Sequence, residues 1–131
     1  MMILAYSNSY LKVFVDKGRC CLVQSWKGYC TSDEFRIGQQ KTLDLFLEYK
    51  CEHFITDTTN ATPLDEMELV WVTENITPKL RAAGMKVLNV VLPSSEYTRV
   101  TLQILEKEDR ARLNTEFRFF GSLDSALGSL N

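Results

Sequence analysis

The sequence predicts a single α/β domain whose mixed sheet opens with an N-terminal antiparallel hairpin and continues as βα units, with helices flanking the sheet. Three observations predict it: short β-branched and aromatic runs spread along the chain, stretches of helical spacing between them, and turn or capping residues at most of the junctions. With 131 residues and 45% hydrophobic content, the chain can bury one continuous core. It carries no internal repeat, low-complexity tract or Pro/Gly/Ser-rich linker, so one domain over residues 1–131 is expected.

Tyr10–Asp16 (YLKVFVD) and Cys20–Trp26 (CCLVQSW) read as the two strands of the hairpin, with Lys17-Gly18 as turn residues. Thr31-Ser32-Asp33-Glu34 is a capping-box pattern. A helix to about Lys50 follows, with Phe35, Leu43, Phe46 and Leu47 as its buried stripe. His53–Asp57 (HFITD) reads as a strand opening into the polar loop Asp57-Thr58-Thr59-Asn60. Thr62-Pro63 suits a helix start, and Leu64, Met67, Val70 and Trp71 recur at helical spacing. Thr77-Pro78 predicts a kink or a restarted helix that stops at Gly84, a residue suited to a left-handed cap. Val87–Leu92 (VLNVVL) is the near-continuous apolar run of a central strand. Ser94 or Ser95 is placed to cap a helix carrying Tyr97, Val100, Thr101, Ile104 and Leu105, and the mixed charges of Glu106–Arg112 read as its solvated end. Glu116–Phe120 (EFRFF) closes the strand set. Ser122 caps a last short helix with Leu123, Ala126, Leu127 and Leu130 turned inward.

Charge and composition exclude several functions. Lys+Arg 15 against Asp+Glu 17 gives a net charge of -2, with the basic residues scattered, so nucleic acid is not an expected partner. No apolar run reaches the roughly 20 residues of a membrane span, and MMILAYSNSYLK lacks a charged leader before a long apolar stretch, so a cytoplasmic location is expected. Without a secretory leader the glycosylation sequons at Asn60 and Asn75 are read as helix-boundary residues. Cys20, Cys21, Cys30 and Cys51 lack the paired spacing of a zinc or redox motif and read as reduced, mostly buried thiols. His53 is the single histidine and lies two residues after Cys51, but no third orienting group or nucleophile motif accompanies the pair. With no phosphate-binding glycine loop, metal-ligand cluster or dinucleotide fingerprint, neither an enzyme nor a cofactor is expected.

Trp26-Lys-Gly28 at the end of the hairpin, Phe54-Ile-Thr-Asp57 before the polar run, the Trp71 helix, and Phe117-Arg-Phe-Phe120 followed by Ser122-Leu-Asp-Ser-Ala-Leu127 together give the chain a resemblance. It resembles the SpoIIAA-like superfamily, which contains STAS domains, and in particular small bacterial proteins of STAS/SEC14-like type. The similarity covers nearly the whole chain and departs from some relatives at Gly128-Ser129 in the tail. It implies a regulatory or protein-interaction domain, with a small-ligand carrier as the alternative on its SEC14-like side.

Two loops fall where open α/β sheets collect ligands, beyond the carboxyl ends of strands. Asp57-Thr58-Thr59-Asn60 occupies the place where the resemblance implies an Asp-Ser-Ser-Gly run with a phosphorylated serine; Thr58 and Thr59 match as hydroxyls and Asn60 replaces the glycine. The competing reading makes these residues turn formers that cap backbone groups. Pro93-Ser94-Ser95 is either an anion or ligand loop or a simple helix cap. Trp26 and Tyr29 are candidates for an interface with a protein partner or a second copy of the chain, or else pack on the first helix. The sequence names no partner. A carrier would need a cavity of roughly 300 Å³ behind the Met67 and Trp71 stripe, whereas ordinary core would leave none.

Overall fold

A computed structural model describes residues 2–62, 65–92 and 116–130. Among the described residues six strands form one sheet in the order β1 (Met2–Ser7), β2 (Leu11–Asp16), β3 (Cys21–Gly28), β4 (His53–Ala61), β5 (Val87–Val91) and β6 (Glu116–Phe120). The described helices are α1 (Ser32–Glu48), α2 (Glu66–Asn75), α3 (Thr77–Ala82) and α4 (Leu123–Gly128). β1, β2 and β3 are antiparallel neighbours, whereas β3, β4, β5 and β6 run parallel. The expected mixed sheet with flanking helices is the architecture found. None of the described helices is long and apolar enough to cross a membrane.

Local chemistry accounts for the junctions. The hydroxyl of Thr31 accepts the Glu34 N–H while the Glu34 carboxylate accepts the Thr31 N–H, so the predicted capping box is formed. Gly84, at φ +116, ends α3 in a conformation that a Cβ would strain. Ser122 accepts the Ser125 N–H and starts α4.

Strand alternation divides the core into two layers. Leu11, Val13 and Val15 of β2, Leu22 and Trp26 of β3, and Phe54 of β4 face α1, α2 and α3. The residues between them, including Cys21, Val23 and Ile55, face the opposite side and pack with Ala126 of α4. On the first side the contact is close at Gly38 of α1, which lies over the Trp26 ring and Leu11. Beside it, Gln24 is buried and satisfied: its amide N–H groups donate to Gln39 Oε1 and Thr42 Oγ1, both at 2.9 Å, and its Oε1 accepts the Thr56 hydroxyl at 3.0 Å.

Several expectations are corrected. The chain adds β1, outside the expected hairpin; Asn8 forms its turn by accepting the Tyr10 and Leu11 N–H groups, turn chemistry present in the sequence between two apolar runs. β4 does not open into a loop after Asp57 but continues through Ala61, because Lys27 and Gly28 of β3 go on pairing with Asn60 and Ala61. α2 is capped by Asp65, which accepts the Met67 N–H, while the Thr62 N–H is bonded to Gly28 O as an extension of the strand pairing. The buried side of α2 carries Glu68, Leu69 and Thr73, leaving Met67 73% exposed. Leu47 is likewise exposed on α1, where Leu45 is buried instead. Pro63, Leu64, the helix expected after Ser94 and the Glu106–Arg112 run lie outside the described residues.

A Cβ at residue 38 would stand 2.8 Å from Trp26 Cη2 and 2.9 Å from Leu11 Cδ2. Gly38→Ala is therefore expected to destabilise the fold by about 1–3 kcal/mol through overpacking, despite alanine's better helix propensity. Gln24→Leu, which strands Gln39 and Thr56 without their partner, is expected to cost about 1–3 kcal/mol. Urea unfolding of each variant checks both values.

Candidate functional site at the carboxyl ends of β3 and β4

The parallel pairing of β3 and β4 keeps a regular register from Cys21 opposite His53 to Ser25 opposite Asp57, and then shifts. Lys27 stands opposite Asn60, so two steps along β3 correspond to three along β4. The extra residue is a β-bulge at Thr58-Thr59, the device by which a strand re-aims its side chains. Thr58 points to the helix side, is 7% exposed, and donates its hydroxyl to Val91 O at 2.8 Å. Thr59 is half-buried, and Asp57 Oδ1 accepts both its hydroxyl at 2.7 Å and its backbone N–H at 3.1 Å. Asn60 is exposed. The run read as a loop is therefore a bulged strand that pairs Asp57 with Thr59 and buries Thr58 away from them.

The other sequence candidates separate. Trp26 is 6% exposed, with its ring 6.3 Å from that of Tyr10 and 5.2 Å from that of Phe35. Of its two readings, burial against α1 is the one found, because Gly38 lets the helix close over the indole. Tyr29, just beyond β3, is 74% exposed at the same end of the sheet as Asp57 and Thr59. Pro93, Ser94 and Ser95 lie outside the described residues.

Behind the sheet, α2 is tied to α1 by an ion pair that no motif reveals. Arg36 Nε and Nη2 donate to the two carboxylate oxygens of Glu68 at 3.0 and 3.1 Å, and the guanidinium lies 5.0 Å from the centre of the Trp71 ring. These hydrogen bonds hold the Glu68 carboxyl below its ordinary range against the opposing effect of burial. Between the helices and the sheet lies a cavity of about 90 Å³, lined by apolar residues such as Phe54, Leu69 and Ile76, with Gln24 and Thr56 among its polar groups.

The cysteines favour packing over chemistry. Burial pushes the thiol of Cys21 to about 12 and that of Cys51 to about 11, so both are protonated at neutral pH. Cys51 precedes β4 and is not a strand residue, so strand alternation does not align it with His53. Cys30 is also raised, first by burial and then by Glu34 and Glu68, whereas Cys20 is exposed. Among the described residues no group of three or more His, Cys, Asp or Glu side chains is placed to hold a metal ion.

Sequence reasoning missed Lys12, Ser25 and Lys27, which belong to no motif. Lys12 is the cross-strand partner of Ser25, Ser25 that of Asp57, and Lys27 that of Asn60. Only strand alternation combined with the register finds them.

A carboxyl depressed by folding stabilises above its unfolded value, and that contribution is lost as pH falls through the folded one. For Glu68 this window lies below the ordinary value of 4.5. Urea midpoints of the parent and Arg36→Met, followed from neutral pH downward, are expected to differ most near neutrality and to converge in acid.

No family model and no curated protein matches the chain. Among solved structures, that of apo-SiaC from Pseudomonas aeruginosa is similar over 92% of this chain and 99% of that one, at 14% sequence identity and a TM-score of 0.47. A similarity of this size says nothing about partners or chemistry.

Proposed function

We propose that this chain is a non-catalytic regulatory domain that binds a protein partner at the carboxyl ends of β3 and β4, and that phosphorylation of Thr59 governs the binding. The observation that carries this reading is the division of labour at the bulge: Thr59 offers a half-exposed hydroxyl oriented by Asp57, while the hydroxyl of Thr58 is buried and committed to Val91 O. The resemblance to STAS domains supports it, since the Asp57–Asn60 run stands where their Asp-Ser-Ser-Gly run does. A kinase supplied with a nucleoside triphosphate would form the Oγ–P bond at Thr59, break the terminal anhydride bond and release the hydroxyl proton. The product carries about -1.5 to -2 charge, enough to reset a docking surface. Tyr29, exposed at the same end, supplies an aromatic contact of the kind enriched at interfaces. The partner is another protein or a second copy of this chain.

The carrier reading is less well supported. A ligand site of drug-like size needs roughly 300 Å³ or more, and the cavity behind the sheet holds about 90 Å³.

The test is mass spectrometry of the tagged chain purified from its own host, followed by binding of the captured partner to Thr59→Val and Thr59→Glu. The expected result is phosphate mapped to Thr59 and partner Kd values that differ by about tenfold or more between the two variants, equivalent to about 1.4 kcal/mol. Equal capture of every partner by both variants, with no phosphate at Thr59, would sink the reading.

A further inference from the structure

The sheet face opposite α1, α2 and α3 carries α4 over its apolar part, but around Thr59 it presents polar and charged residues from three strands. Lys12 of β2, Ser25 of β3 and Asp57 of β4 form one cross-strand row, and Lys27 of β3 stands opposite Asn60, the residue after Thr59. Neighbouring strands lie about 4.8 Å apart, so the backbone of Lys12 is about 10 Å from that of Asp57. A four-carbon lysine stem spans much of that gap. Lys12, Ser25, Lys27 and Asn60 also border one depression of about 200 Å³, which ends at Asn60 beside Thr59 and is not lined by Thr59 or Asp57. Both lysines are exposed, and among the described residues neither takes part in an ion pair, in contrast to Arg19, Arg36 and Arg118.

This arrangement answers an electrostatic difficulty in the site. Asp57 now accepts the Thr59 hydroxyl at 2.7 Å. Once that oxygen is esterified the donor is gone, and a dianion faces a carboxylate. Among the described residues, Lys12 and Lys27 are the positive charges in register with Asp57 and Asn60 that can offset the repulsion. Lysine, a compact point charge on a flexible stem, can follow a phosphate that is not held in one fixed geometry.

We propose that Lys12 and Lys27 are a receptor for the phosphate monoester on Thr59, so that modification closes an internal latch across β2, β3 and β4. The proposal rests on Thr59 as the modified hydroxyl. In the latched form the partner meets a partly neutralised surface in which the lysines are engaged. In the unmodified form the same lysines are free to meet an acidic partner.

The test uses the full chain with phosphothreonine genetically encoded at position 59, which removes any dependence on whether the host modifies it. Phosphorus NMR follows the second ionisation of the phosphate, with the same chain unfolded in urea as reference. The latch predicts a midpoint in the folded chain at least about 0.5 pH unit below the unfolded value, which is near 6. Lys12→Met combined with Lys27→Met is expected to return it to the unfolded value or above, where Asp57 dominates. A folded-chain midpoint at or above the reference, or one indifferent to both substitutions, overturns the latch. So does a phosphothreonine chain that fails to fold where the unmodified chain folds, because the latch requires the modified form to be stable. Failure of the regulatory reading would show instead in host-purified protein, as absent phosphate at Thr59 and unaltered partner capture.

Discussion

The structure depends on the docking of β3 onto α1. β3 is where the sheet changes from antiparallel to parallel pairing, since it borders β2 in one sense and β4 in the other. Two of its inward side chains fix the helix above it. Trp26 fits beneath Gly38, where no Cβ intervenes, and Gln24 reaches Gln39 and Thr42 from the same strand face. The apolar contact supplies area, and the amide network supplies position, because a buried amide tolerates few placements in which all its groups are bonded. Gln24 also accepts the Thr56 hydroxyl, so the network that holds the helix touches β4 as well.

From that anchor the geometry of the candidate site follows. With β3 fixed and β4 paired to it, the chain accommodates one extra residue between Asp57 and Asn60 only by bulging. Thr58 keeps the inward alternation of Phe54 and Thr56 and reaches the Val91 carbonyl, while Thr59 lies beside the carboxylate of Asp57. Two adjacent threonines of identical chemistry thus receive opposite environments, one buried and committed, the other near the surface and oriented. The difference lies in the backbone and its register.

The helices behind the sheet obey a different constraint. α2 shows little segregation of apolar residues; Leu69, Trp71 and Val72 pack toward the core, and the bidentate pair between Arg36 and Glu68, with the guanidinium on Trp71, ties the helix to α1. A buried carboxylate is tolerated there because its oxygens are matched by the fork of the arginine. Met67 faces outward, while Leu69 and Ile76 are buried and line a small cavity. A stripe that looks apolar on a helical wheel therefore does not decide which side of this helix is inside.

The sequence by itself determined the elements whose signals are local. The capping box at Thr31–Glu34, the restart at Thr77-Pro78, the left-handed stop at Gly84 and the cap at Ser122 depend on residues a few positions apart, and each formed as expected. The Asp57–Asn60 run was legible as a place of interest, because it is a polar run following an apolar strand where the resemblance implies a phosphorylated loop. Whether it is loop or strand, which threonine is accessible, that Trp26 is buried, and that Lys12 and Lys27 share a face with Asp57 were decided by tertiary structure. Pairing partners, register and the closeness of a helix to a strand arise between residues distant in sequence, and the free energy that selects them belongs to the assembled sheet and not to any short segment of the chain.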